Sequence, residues 1–164
     1  MRLRVLAILG LTLLLAACGA KKDPAPQPEG TPAGLSVTDP WAKAADQGMS
    51  AVFGALVNHS TKDITVVKAE GPIGPMELHE VVDQNGDMVM RPKEGGFVIP
   101  AGATVRLEPG HDHIMLMAPA KPLKPGDEVA VTLTFADGGT MAFTAIVKDF
   151  AGGGESYMPG MDHS

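Results

Sequence analysis

Cysteine is almost missing from this chain. Cys18 is the only one among 164 residues, so no disulfide can form within the molecule. A blue-copper electron-transfer centre needs a Cys thiolate beside its histidines, and nothing after Cys18 supplies one. The patterns HExxH and GxSxG are absent too, which removes the zinc-protease and serine-hydrolase signatures, so no enzyme is expected. Aromatic residues are scarce. With one Trp and one Tyr there is no platform on which successive bases could stack. Positive charge is short as well, 13 Lys and Arg standing against 19 Asp and Glu. Arg2 and Arg4 belong to the leader described next, so the remainder carries 11 basic side chains and a formal net charge of about −8. Such a surface repels phosphate backbones, and no nucleic-acid partner is expected.

Long apolar runs are limited to one. Arg2 and Arg4 introduce the stretch Val5–Leu15, and Leu15-Ala16-Ala17-Cys18 closes it with small residues. A bilayer span needs about 20 apolar residues, so this shorter run with a positive start reads as a signal peptide over residues 1–17. The LAAC ending resembles the lipobox of bacterial lipoproteins, in which the cysteine becomes the lipidated first residue. Residues 18–34 then comprise that Cys18 and a Lys/Asp/Pro/Gln/Gly stretch with little to bury, a flexible to semi-extended tether. The expected location is the bacterial cell envelope, lipid-anchored to a membrane and facing the periplasm or the exterior.

From residue 35 to 150 the chain reads as one all-β domain, followed by a flexible tail over 151–164. Turn-forming residues punctuate it at short intervals, and most runs between them alternate or are β-branched. The pattern predicts strands at Leu35–Val37 with Trp41–Ala44, Ser50–Val57, Ile64–Glu70, Met76–Val82, Met88–Arg91, Thr104–Leu107, His113–Met117, Glu128–Phe135 and Thr140–Val147. Asp137-Gly138-Gly139 between two alternating runs is the strongest hairpin signal. No segment keeps a helical spacing of apolar residues. A Greek-key β-sandwich or barrel is expected, as a monomer.

What the chain does have is soft donors in two short segments, MELHEVVDQNGDMVMRP and GHDHIMLM. His79, Met90, His113 and Met115 bring two imidazoles and two thioethers. Thioether sulfur contributes little to Zn²⁺, Ca²⁺ or Mg²⁺ and suits Cu(I), which has no preferred geometry and accepts a loosely tetrahedral cage. In a strand, residues two apart share a face, so His113 projects with Met115, and Met88 with Met90. Methionines in alternating strands are usually packing, and Met49, Met76 and Met141 are read that way. The convergence of two His and two Met beside Gly and Pro sets the quartet apart. Imidazole must be neutral to bind a metal, so binding weakens as pH falls through about 6.5. Asn58-His59-Ser60 matches a glycosylation sequon and is read as a polar turn.

These segments, together with WAKA, GMSAVFGALVN, EGGFVIPAG and PLKPGDEVAVTLTFADGGT, resemble the periplasmic copper chaperones of the CuA-assembly type, PCuAC. The likeness runs from about Val37 to Val147. Its motif is His, ten residues, Met, about twenty-one residues, then His-x-Met. Here Glu80–Val89 supplies the ten residues and Arg91–Asp112 supplies 22, one more than the motif states. The resemblance implies a cupredoxin-like sandwich, an exposed Cu(I) site, and delivery of copper toward the CuA centre of cytochrome c oxidase, with subunit II or a Sco-type thiol protein as partner. His111 is either a fifth donor or an exposed loop histidine. In the tail, Met158, Met161 and His163 form either an auxiliary site, including Cu(II) through His163 and Asp162, or a tail with incidental methionines. Copper buffering and a metal-free adhesion or scaffold sandwich are the other readings of the whole.

Overall fold

The computed structural model describes residues 34–152 and 156–157. The signal peptide, Cys18, the tether and the tail donors Met158, Met161 and His163 lie outside the described residues. Ten strands lie within 34–152: β1 Leu35–Lys43, β2 Ser50–Asn58, β3 Ile64–Glu70, β4 Met76–Gln84, β5 Asp87–Pro92, β6 Phe97–Ile99, β7 Thr104–Leu107, β8 His113–Leu116, β9 Glu128–Phe135 and β10 Thr140–Lys148. An eleventh, β11, is Ser156–Tyr157. No helix occurs among the described residues. The sequence reading missed β6, whose three residues are too short to show alternation, and β11, which falls in the stretch read as flexible.

The strands pair in the order β11-β5-β4-β8-β2-β1-β10-β9-β3-β6, with β7 also on β2. This sheet folds over so that its two halves enclose one core. Leu78 and Ile114 from β4 and β8 pack in the same cluster as Val66, Phe97, Leu133 and Phe135 from β3, β6 and β9. Loops that close the far end are held by Asn58, a buried side chain. Its amide donates to the carbonyls of Lys62 and Ile99, at 2.8 and 2.9 Å, while its oxygen accepts from Ser60. The polar-turn reading of Asn58-His59-Ser60 holds, since the amide is committed to structure.

One local irregularity decides what the outer face carries. Pairing of β1 with β2 shifts register by one residue between Thr38 and Trp41. Leu35 and Val37 point into the core before this bulge, whereas Ala42 and Ala44 do so after it. Trp41 is thereby turned to the opposite face, where it packs on Phe53 with ring centres 4.5 Å apart. The bulge presses on Gly54: a Cβ there would lie 3.2 Å from both the Pro40 Cα and the Thr38 carbonyl oxygen, and its φ of +149° disfavours other residues. The bulge therefore needs a glycine opposite it.

Candidate metal centre

The site lies on the face of β5, β4, β8 and β2 that points away from the main core. The β4–β5 hairpin turns on Asn85 and Gly86, both at positive φ (60° and 95°), as a two-residue Asn-Gly turn requires. That turn fixes the register Val81↔Met90 and His79↔Pro92. On the other edge of β4, His79 pairs with His113 and Glu77 with Met115. The imidazoles thus face each other across one ladder step, with Met115 one pleat along β8 and Met90 one pleat off on β5. Directly opposed residues have Cβ atoms about 4.5–5.5 Å apart, and long side chains reach the diagonal positions.

Both histidines are buried, with ring centres 5.7 Å apart at 63°. A metal–nitrogen bond of about 2 Å puts each ring centre roughly 3 Å from the ion, so this separation fits two rings on one ion. Each ring is oriented by a neighbouring oxygen that accepts a hydrogen bond from its N–H. The Glu77 carboxylate lies 2.8 Å from His79 Nε2, so that nitrogen carries the proton and the lone pair sits on Nδ1. The His111 carbonyl lies 2.8 Å from His113 Nδ1, which puts the other lone pair on Nε2. Outer partners of this kind fix the tautomer of a metal-binding histidine.

Met90 and Met115 are buried in a small apolar cluster with Ala51 and Phe53, with Trp41, Val81 and Met117 packed against it. An open cavity of about 210 Å³ is lined by Met90, His113, Met115, Phe53, Met49 and Phe150, among others. Lys43, which also lines the cavity, donates from its ammonium to the Gly152 carbonyl at 2.8 Å. Among the described residues, no group of three or more His, Cys, Asp or Glu could hold a metal ion. The donors gathered here are imidazole and thioether, a soft set.

The structure brings His79, Met90, His113 and Met115 together on one face. It leaves Met88 on the same face but exposed, paired with Asp83 near the hairpin turn. The His111 ring is exposed, and this residue reaches the site through its carbonyl. Asp112 is held by Lys93 at 3.1 Å. Where the resemblance implied an exposed site, the four side chains are buried beside an open cavity. Sequence reasoning missed Glu77, although alternation in ELH places it on the His79 face, and it missed Phe53 and Phe150, for which no local signal exists.

Comparisons with known proteins bear on the family and the fold. The LpqE-like family of candidate lipoproteins matches residues 35–147. A relative named as a candidate lipoprotein, Lxx21020 of Leifsonia xyli subsp. xyli, is 40% identical over 94% of this chain and 95% of its own length. Among solved structures, apo-DR1885 from Deinococcus radiodurans is 30% identical over 87% of this chain and 98% of its own, with a TM-score of 0.58. The CuI form of DR1885 is 31% identical over 74% and 85%, with a TM-score of 0.53. The copper-bound PCuAC domain of PmoF2, 18% identical over 71% and 94%, shares the fold with a TM-score of 0.59.

Proposed function

The chain belongs to the LpqE-like family and has the cupredoxin-like fold of PCuAC domains, and from that premise we propose that it is an extracytoplasmic Cu(I) chaperone. His79 Nδ1, His113 Nε2 and the sulfurs of Met90 and Met115 hold the ion, which is cargo. One observation carries this reading: two buried imidazoles face each other with ring centres 5.7 Å apart, each oriented by an acceptor, beside two buried thioethers. The Cu(I)-bound form of DR1885, similar in sequence and fold, supports it.

The chemistry follows from the donor set. Neutral soft ligands stabilise Cu(I) without the strength of thiolates, so a thiolate acceptor draws the ion away through intermediates that share ligands. A Sco-type protein or subunit II of cytochrome c oxidase, whose CuA centre needs copper, is the proposed recipient. Lipidated Cys18 and the tether over 18–34 would hold the domain at the envelope membrane.

Cu(I) titration of the chain against a competing chelator, with the His113→Ala/Met115→Ala double variant alongside, tests the site. One tight equivalent that the variant lacks is the expected result. A second equivalent surviving in the variant assigns copper to the tail donors, and equal weak binding by both chains sinks the copper reading. Loss of CuA maturation in a strain lacking the gene separates delivery from storage.

A further inference from the structure

Ligand exchange requires that an acceptor reach the copper, yet the four donors are buried. Their exposure rises in steps across the site, from 0% at His79 and 2% at His113 to 5% at Met115 and 9% at Met90. A fifth soft donor continues that series to the surface. Met49 is 40% exposed and lines the same cavity as Met90, His113 and Met115.

The backbone explains its placement. Met49 immediately precedes β2, whose odd-numbered residues Ala51 and Phe53 belong to the outer cluster. Alternation therefore puts Met49 on the site face. Gly48, at φ +77°, turns the chain just before it. Extending the Ser50↔Leu116 pairing by one residue sets Met49 across from Met117, which packs half-buried against the cluster. Thioethers thus run along one face from buried Met115 past Met117 to the exposed Met49. Packing alone does not call for sulfur at Met49, because another apolar side chain of similar volume would cover the cavity wall as well. Its flexible stem lets the sulfur move between the cavity and solvent.

We propose that Met49 is the handover ligand of this site, taking Cu(I) from the buried thioethers and presenting it to a thiolate-bearing acceptor. The inference rests on the quartet being the resident Cu(I) site. One Cu–S bond to Met49 forms as a bond to Met90 or Met115 breaks; copper stays Cu(I), and no proton or electron moves. Met49 serves in passage and adds little to affinity at rest.

The test uses the full-length chain in detergent, loaded anaerobically with one equivalent of Cu(I), and its Met49→Leu variant, which conserves volume and leaves the fold intact. Copper transfer to an excess of a reduced Cys-x-x-Cys peptide is timed, and Cu(I) affinity is measured separately by competition with bathocuproine disulfonate. The expected result is a transfer rate lower by about tenfold in the variant, with affinity changed by less than about threefold. Methyl-¹³C-methionine spectra of the natural chain should show the Met49 signal broadened when acceptor is present. Equal transfer rates overturn the role of Met49 and leave the quartet standing. An affinity loss as large as the rate loss also overturns it, because Met49 would then be a resident ligand. A natural chain that binds no Cu(I) overturns both readings together.

Discussion

Glu77 and His79 lie two residues apart on one face of β4, with Oε2 and Nε2 separated by 2.8 Å. The carboxylate holds the proton on Nε2 and so aims the Nδ1 lone pair of a buried ring. It also adds negative charge beside a site whose other donors are neutral. Glu77→Ala should therefore lower Cu(I) affinity by about 10–100-fold, the usual cost of losing an outer partner of a metal-bound histidine. Competitive chelator titration reads this directly. An unchanged affinity would mean that packing alone orients His79.

Met115 separates donor chemistry from shape. It is buried in the outer cluster, and Leu fills nearly the same volume. Met115→Leu should cost less than about 1.5 kcal/mol in a urea melt yet lower Cu(I) affinity by at least about tenfold, since a soft donor is lost. Equal affinity with a folded variant would remove Met115 from the ligand set.

Most of the fold was legible because both halves of the sandwich obey simple alternation. In β9 and β10, VAVTLTF and TMAFTAIV flank an Asp-Gly turn, and nine predicted strands all correspond to observed ones. The quartet was legible for a related reason: ELH and HIM put each histidine on a face that alternation defines. What stayed hidden depends on pairing between distant segments. Only the β1 bulge explains why Trp41 leaves the core face, and only the β2–β8 register, extended by one residue, sets Met49 across from Met117. Methionine in an alternating strand gives no sign of which sheet face is core, so Met141, which is buried in the core, and Met49 looked alike.

Asn58 supplies a control far from the donors. Its buried amide satisfies the carbonyls of Lys62 and Ile99, the latter residue fully buried. Asn58→Leu strips these carbonyls of their donor and should destabilise the domain by about 2–3 kcal/mol. Thermal unfolding measures the loss, and Cu(I) affinity of the folded variant should not change. A variant as stable as the natural chain would show that water replaces the amide.

Lys93 ties together the two strands that carry the histidines. Its ammonium lies 3.2 Å from Glu80, beside His79 on β4, and 3.1 Å from Asp112, just before β8. Burial pushes the Glu80 carboxyl up, but hydrogen bonds from Arg91 and Lys93 outweigh it and hold it below its ordinary value. Burial likewise pushes Lys93 down, and its bonds to Asp112 and Glu80 outweigh that and raise it. The Glu80 contribution is therefore present above the ordinary 4.5 and is lost as pH falls through the lower folded value. The Lys93 contribution is present below the ordinary 10.5 and is lost as pH rises through the higher folded value. Between those limits the clamp is fully formed. Lys93→Met should then cost about 1 kcal/mol near neutral pH, the upper end for partly exposed pairs. The gap from the natural chain should narrow in acid, once Glu80 is protonated in both proteins. Urea melts of the metal-free domain from acid to neutral pH test this. A gap that persists unchanged in acid would assign the loss to the packed stem of Lys93 rather than to its charge.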